Sequence, residues 1–268
     1  MTRKIRSIIS VFFCLALAVL SLSACGGGGD SAPPAPNPII EKADPKETDI
    51  VVTANPVELT YIARISKFRS GAGHWFAGTN FYGEPEPSSS MKHYFQAVQS
   101  LWKTSGQKIR VFSPFDGTIC HVDREDVRRG RQFYIKTKPY SGWIFGFTHI
   151  DMEAGLEAGS EVKAGQFLGY ANLSDGSCFD VQLQRFRTAS EFHGIQEHYT
   201  RNLEPLFPHM TAELLAVYRA RGITPENTFI SKQEREKAPY PCASGQPGTT
   251  FCTFDTPMDS PADWVTLK

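Results

Sequence analysis

The centre of the chain is a succession of short apolar segments separated by glycine, proline and aspartate. Ile, Val, Phe and Tyr dominate these segments, and such residues favour β-strands. We predict strands over Lys108–Phe112, Gly117–Val122, Gln132–Thr137, Trp143–His149, Gln166–Ala171 and Phe179–Phe186. Apolar and polar residues alternate in the first and the last of them, as in antiparallel strands with one buried face. The sequence therefore predicts a mainly β fold.

The C-terminal part of the chain, residues 191–268, carries helix signals instead. Thr211 is placed to cap a helix whose apolar residues recur at helical spacing. Those residues are Leu214, Leu215 and Tyr218. Further on, Ser231 and Glu234 form a capping-box pattern at the start of a second helix. We predict a helical and loop extension without an assigned function.

The first residues have the layout of a secretory signal. Basic residues precede an uncharged apolar run over 8–22, which is short for a membrane span and ends in small residues. The following Leu22–Cys25, read as Leu-Ser-Ala-Cys, resembles the lipobox of bacterial lipoproteins. The resemblance implies cleavage after residue 24 and a diacylglycerol on the sulfur of Cys25, which would anchor the chain to a membrane. The alternative is an ordinary signal peptide that contains a cysteine.

A glycine- and proline-rich stretch follows Cys25 and predicts a flexible tether over residues 25–48. The chain then divides into a signal (1–24), the tether, a β domain (49–190) and the C-terminal extension (191–268). Gly26 rather than Asp follows the cysteine. In a cell with two membranes, the lipoprotein resemblance then implies that no signal retains the protein in the inner membrane. The lipoprotein resemblance implies an exported, lipid-anchored protein of the bacterial cell envelope, on the periplasmic face of the outer membrane in a cell with two membranes.

The charge balance excludes a general electrostatic attraction to nucleic acid or to anionic membranes. Lys+Arg and Asp+Glu both number 28, so the formal net charge is zero. One local basic cluster consists of Arg124, Arg128, Arg129 and Arg131. Acidic residues interrupt it, which favours a solvated hairpin turn over a contact with anionic wall polymers. We predict no nucleic-acid partner.

Four cysteines remain after the signal and the lipidation candidate, an even number that favours two disulfides in an exported protein. Cys242 and Cys252 flank a Gly/Pro-rich loop and are predicted to pair with each other. By elimination, Cys120 is predicted to pair with Cys178, and both lie in predicted strands. The alternative is that Cys178 is a thiolate ligand of zinc.

Four motifs in the β domain carry a family resemblance through their order. They are Ser113–Ile119 (SPFDGTI), Phe147–Ile150 (FTHI), Gly159–Gly169 (GSEVKAGQFLG) and Gly176–Gln184 (GSCFDVQLQ). Together they resemble the LytM/lysostaphin-type zinc endopeptidases, which cut peptidoglycan. The glycines supply the tight turns that return short strands into a compact sandwich. The resemblance implies a LytM-like (duplicated-hybrid) antiparallel β sandwich.

The family's zinc ligands are a His-x-x-x-Asp pair and the second His of a His-x-His pair, and this chain departs from both motifs. His149 matches the family histidine that carries protons and stabilises the transition state. Cys178 and Asp180 stand in the place of His-x-His. Upstream, His93 is the predicted ligand, but alanine stands where the motif requires Asp. The resemblance therefore implies His93 and Asp180 as remaining metal ligands, with His74 as a further candidate.

A catalytic zinc needs three protein ligands and an open position for water, so these departures leave two main functional hypotheses. The first is a catalytically degenerate domain without cofactor, which binds peptidoglycan or regulates a cell-wall amidase. The alternative is a divergent zinc endopeptidase that cleaves peptide cross-links, with a site rebuilt from His74, His93, Asp180 and His149. A third, structural role leaves the fold as a mere support for the C-terminal extension.

Overall fold

The computed structural model describes residues 41–76, 78–104, 108–123, 129–192, 201–240, 251–252 and 260–268. The predicted signal, Cys25 and Cys242 lie outside these residues. Residues Ile39–Lys268 form one compact unit. Neither helix of the described residues is long and apolar enough to span a membrane.

Short strands make up most of the described structure. They are β1 (Ile62–Ser66), β2 (Trp75–Phe76), β3 (His93–Ala97), β4 (Arg110–Phe112), β5 (Gly117–Val122), β6 (Arg131–Thr137), β7 (Trp143–Met152), β8 (Glu161–Val162), β9 (Phe167–Ala171), β10 (Cys178–Arg185), β11 (Leu203–Glu204), β12 (Phe251–Cys252) and β13 (Trp264–Thr266). All six predicted segments overlap a strand. The predicted mainly β fold is confirmed.

One antiparallel sheet contains eleven of these strands, in the order β13-β1-β3-β10-β7-β6-β5-β8. Strand β11 pairs with β10, and β9 joins β4 to β7. The remaining strands, β2 and β12, pair with each other. Strand β7 is the junction, since its first part pairs with β10 and its last residues, from Ile150 onward, pair with β9.

Both faces of β10 are buried, and they differ in character. Phe179, Val181 and Leu183 belong to the main hydrophobic core. The alternate side chains Asp180 and Gln182 point to the opposite face, where they are also buried. A fully buried Phe contributes about 1.5–3 kcal/mol to folding, so the aromatic-rich core face sets the register of β10. The polar face is thereby fixed as well.

The helical predictions in the C-terminal part are confirmed. Helix α1 spans Ala212–Arg219, and the Thr211 side chain accepts a hydrogen bond from the backbone N–H of Leu214 at 3.3 Å. Helix α2 spans Lys232–Lys237 and begins with the predicted capping box at Ser231.

The C-terminal residues nevertheless pair with strands of the β domain and pack into its core. Strand β13 extends the large sheet at β1, and β11 pairs with β10. Leu206 and Phe207 belong to the main core, together with Tyr218 of α1. Residues on both sides of position 190 thus lie in one compact unit, and the domain limit at that position stays a prediction.

The end of the predicted tether also contacts the sheet. The Ala43 N–H donates to the carbonyl of Arg187 at 2.8 Å, and Lys136 forms an ion pair with Glu41. The first described residues thus already belong to the compact unit.

Candidate functional site

The polar face of β10 borders a cleft formed by two adjoining cavities of about 290 and 260 Å³. His74, Arg129 and His149 line both cavities. Lys92, Thr148 and Asp180 also line the first, and Asn172, Asp175 and Cys178 also line the second. The cleft therefore contains the predicted residues His74, His149 and Asp180.

Asp180 forms a buried ion pair with a lysine that the sequence motifs did not single out. In the sheet, Asp180 lies opposite Tyr94 of β3 and Thr148 of β7. Lys92, two residues before Tyr94, shares this face, and its Nζ lies 2.8 Å from Oδ1 of Asp180. Both side chains are only 1% exposed.

The two charges of this pair depend on each other. Burial lowers the pKa of Lys92, and the neighbouring Asp180 carboxylate opposes that shift. Burial alone would raise the pKa of Asp180, but the positive charge of Lys92 holds it below its ordinary value. Asp180 is therefore a carboxylate whose partner cation is an ammonium group of the same chain.

His149 interrupts β7 with a left-handed backbone conformation. Its φ is 64°, an uncommon value for a residue with a side chain. Its Nδ1 lies 3.0 Å from the carbonyl oxygen of Arg129, so Nδ1–H donates to that carbonyl. Its own carbonyl accepts from Asn172 N–H at 2.7 Å. Such local strain persists where the surroundings enforce it, often at functional sites.

His74 reaches the cleft from the glycine-rich loop Arg69–His74. The backbone N–H of His74 donates to the hydroxyl of Tyr94 at 3.0 Å. Gly73 has a φ of 87°, and a Cβ there would lie 2.0 Å from the Tyr94 ring, so only glycine fits. Burial, followed by the charge of Lys92, lowers the pKa of His74 to about 4. His74 is therefore neutral at pH 7.

His93 is not brought to Asp180. It belongs to the opposite face of β3, where it is 1% exposed. Its Nδ1 lies 2.9 Å from the carbonyl of Ser66, and its Nε2 accepts from the Leu206 N–H at 3.2 Å. Both ring nitrogens are thus used inside the core. The placement separates the predicted ligands His93 and Asp180 and leaves neither nitrogen of His93 for a metal.

The placement also shifts the register of the upstream motif by one residue. Lys92 and Gln96 have the His-x-x-x-Asp spacing and share the face of Asp180. His93 is in phase with Phe95 and Ala97, which both belong to the core. This alternation was present in the sequence, and it places Lys92 and Gln96 rather than His93 on the face of Asp180.

These side chains do not fit a zinc ion. The side chains of Lys92, Gln96 and Asp180 on this face are an ammonium, an amide and a carboxylate, whereas a catalytic zinc takes three deprotonated nitrogen, sulfur or oxygen ligands. Burial raises the pKa of Cys178, so its thiol stays protonated. In the part of the chain that the structure describes, no group of three or more His, Cys, Asp or Glu could hold a metal ion. We therefore derive no metal chemistry at this site.

The predicted disulfide between Cys120 and Cys178 was wrong, because both are free thiols. Cys120 packs beside Tyr134, whereas Cys178 packs in another cluster with Trp264. Of the second predicted pair, Cys242 lies outside the described residues, as does the side chain of Cys252. That disulfide stays a prediction.

The basic cluster is described only in part, because Arg124 and Arg128 lie outside the described residues. The Arg129 guanidinium forms an exposed ion pair with Asp175 at 3.1 Å. The backbone carbonyl of Arg129 accepts the hydrogen bond from Nδ1–H of His149. Arg129 thus contributes backbone geometry as well as charge to the cleft wall.

No family model matches the sequence, and no curated protein matches it. Solved structures are similar to part of the chain. A zinc-containing peptidase from Vibrio cholerae is 17% identical with a TM-score of 0.34, over 50% of this chain and 37% of that chain. Helicobacter pylori Csd3 is 16% identical with a TM-score of 0.36, over 65% of this chain and 40% of that one. The lysostaphin catalytic domain from Staphylococcus simulans is 13% identical with a TM-score of 0.30, over 51% and 88%.

The chain thus spans about two fifths of the length of the first two proteins. At such TM-scores these likenesses carry no argument about activity. The mainly β fold rests on the strands of the chain itself.

Proposed function

We propose that this chain is a lipid-anchored cell-envelope protein whose LytM-like domain binds peptidoglycan without cutting it. The ion pair of Lys92 with Asp180 is the observation that carries the proposal. A LytM-type hydrolase needs a divalent ion with an open position at which water is activated. Here the positive charge beside Asp180 belongs to a side chain, which has no open coordination position.

The cleft retains groups that suit binding. His149 lines the cleft with its Nδ1–H donated to the Arg129 carbonyl, so Nε2 is the ring nitrogen left for a ligand. His74 is neutral, so it contributes one donor and one acceptor. Peptide N–H and C=O groups of a wall polymer are matched by such donors and acceptors.

The proposed location rests on the lipobox-like sequence before Cys25 and on the tether. An acyl chain on Cys25 with residues 26–40 as spacer would hold the domain near a membrane that faces the wall. A cell-wall amidase is the second candidate for a partner in the same location.

The alternative remains a divergent zinc endopeptidase. His74 and His149 support it, since both line the cleft beside Asp180.

The experiment combines binding, cleavage and metal content. Purified protein is incubated with insoluble peptidoglycan sacculi, and the pellet, the released fragments and the bound zinc are quantified. We expect sedimentation with sacculi, no released fragments and far less than one zinc per chain. His149→Ala should reduce the pelleted fraction, whereas Val217→Ala on the exposed face of α1 should not.

Released peptide fragments that depend on stoichiometric zinc would overturn the proposal and favour the endopeptidase. If the protein stays in the supernatant and is retained specifically on an immobilised amidase, its partner is the amidase and not the wall polymer.

A further inference from the structure

The glycine-rich loop Arg69–His74 is held from its outer side by the C-terminal extension. We propose that Arg235, Tyr240 and Asp263 are positioning residues of the cleft, because they fix the loop that carries His74. The sequence assigned no function to the C-terminal extension.

Backbone hydrogen bonds first tie the start of the loop to the extension. Lys67 N–H donates to the carbonyl of Asp263 at 2.8 Å. Phe68 N–H donates to Thr228 and the Phe68 carbonyl accepts from Ile230, at 2.8 and 3.0 Å. These bonds fix the chain direction as it enters the loop.

Arg235 of α2 then holds the first loop residue. Its Nε donates to the carbonyl of Arg69 at 2.9 Å, and its side chain is largely buried. Arg69 is itself held by two hydrogen bonds from its guanidinium to the carboxylate of Glu86, at 2.8 and 2.9 Å. The φ of Arg69 is 61°, a conformation that these contacts enforce.

Tyr240 covers the centre of the loop. Its ring stacks on Trp75, with centroids 4.7 Å apart. The Trp75 indole N–H donates to the carbonyl of Gly71 at 2.9 Å. The Tyr240 hydroxyl donates to Asp263 at 2.6 Å, and the Arg235 guanidinium lies 3.8 Å from the Tyr240 ring centroid.

The loop is thus enclosed by two tyrosines. A Cβ on Gly71 would lie 2.6 Å from Cζ of Tyr240, and a Cβ on Gly73 would meet Tyr94. Tyr94 belongs to β3 and binds the backbone N–H of His74. The position of His74 is therefore set by the sheet on one side and by the extension on the other. The extension is part of the site.

Arg235, Tyr240 and Asp263 together form what we call the clasp of the loop. Two substitutions disturb the clasp from opposite sides. Tyr240→Ala removes the ring, and Gly71→Ala pushes a methyl group against it. Tyr240→Phe keeps the stacking on Trp75 and loses only the hydroxyl. Tyr140→Ala is the matched control, since this half-buried tyrosine also donates one hydrogen bond from its hydroxyl, to the Phe186 carbonyl. Tyr140 lines a different cavity, together with Asp116 and Lys163.

The first measurement is the imidazole cross-peak of His74 in the full chain by NMR, assigned from its loss in His74→Gln. We expect this peak to move in Tyr240→Ala and in Gly71→Ala, while the peaks of His93 and His209 stay in place. It should stay near its wild-type position in Tyr240→Phe and in Tyr140→Ala. In the double variant Gly71→Ala/Tyr240→Ala the added methyl group meets no tyrosine ring. Its His74 peak should therefore lie at the same position as in Tyr240→Ala alone.

The second measurement is sedimentation with sacculi, and it rests on the proposed function. We expect a several-fold loss for the two clasp variants and none for Tyr140→Ala. If wild-type protein does not sediment, the proposed function fails while the NMR measurement still decides the clasp. An unmoved His74 peak in a folded Gly71→Ala or Tyr240→Ala variant overturns the proposed positioning role. Where Tyr240→Ala does not fold, Gly71→Ala supplies the result.

Discussion

Lys92 on β3 and Asp180 on β10 face each other from neighbouring strands, with 2.8 Å between Nζ and Oδ1 and 1% of each side chain exposed. Neither charge has bulk water beside it. Removing one partner of such a pair leaves a buried charge without compensation, at a cost of about 3–5 kcal/mol. The pair is therefore a determinant of stability as well as of the chemistry of the cleft.

We expect Lys92→Met to lower the free energy of unfolding by about 3–5 kcal/mol, because Asp180 is then a buried and unpaired carboxylate. Adding Asp180→Asn should recover part of that loss, since the remaining amide carries no charge. Urea denaturation of the single and double variants measures both effects.

Lys163→Met is the matched control, because Lys163 pairs with Asp116 at 2.9 Å on the open surface, where its side chain is 79% exposed. Water replaces the lost partner there, so no measurable change is expected. Equal losses for Lys92→Met and Lys163→Met would contradict the buried pair.

The sequence was sufficient for the strands that carry turn signals at both ends. β5, β6 and β7 coincide with predicted segments because glycine, proline and aspartate bound them and β-forming residues fill them. The Thr211 and Ser231 caps were also readable, since a cap is decided within four residues.

The site itself was only partly predictable. His149 and Asp180 were located by motif order, and both line the cleft. Lys92 was not, because its partner lies 88 positions away and a long-range pair has no local signal. His93 was chosen by residue type alone, whereas strand alternation places it with Phe95 in the core.

The buried position of His93 predicts a pH-dependent stability. Burial lowers its pKa from 6.5 to about 4, and the hydrogen bond to the Ser66 carbonyl opposes that shift only in part. The Leu206 N–H donates to the Nε2 atom of the neutral ring at 3.2 Å. A base with a depressed folded-state pKa contributes stability that is present above pH 6.5 and is lost as the pH falls toward 4. The unfolded chain takes up this proton first.

We expect His93→Gln to reduce the slope of unfolding free energy against pH by about 1.4 kcal/mol per pH unit between pH 6.5 and 4. Part of the slope remains in the variant, because His74 also has a pKa near 4. Urea midpoints at several pH values provide the measurement, and parallel curves for wild type and variant would refute the assignment.

Gly146 of β7 allows Tyr134 to pack across the sheet. A Cβ at this position would lie 2.5 Å from Cε1 of Tyr134 and 2.9 Å from Cγ of Gln182. Since Tyr134 is completely buried, Gly146→Ala should lower the free energy of unfolding by about 1–3 kcal/mol.

Gly176→Ala is the control for this change, as the nearest atom to its Cβ, the Cys178 nitrogen, lies at 3.9 Å. Thermal unfolding should show a loss for Gly146→Ala only. A variant at Gly146 as stable as the wild type would mean that Tyr134 has space to move.

The His-x-x-x-Asp motif can be aligned with Lys92 and Gln96 or with His93 and Ala97. Zinc binding by designed variants distinguishes these two alignments. If Lys92 and Gln96 hold the His-x-x-x-Asp positions, then Lys92→His, Gln96→Asp and Asp180→His together place three ligands on one face of the sheet. The triple variant also removes both charges of the buried pair, so neither is left unpaired. We expect it to bind about one zinc per chain, measured by competition with a chromogenic chelator.

Ala97→Asp with Asp180→His is the matched control, because it completes the motif in the register of His93. His93 and position 97 face the core beside Phe95, while position 180 faces the cleft, so these three side chains cannot converge on one ion. We expect no zinc in this variant. Zinc bound to the control and none bound to the triple variant would mean that His93, and not Lys92, faces the cleft.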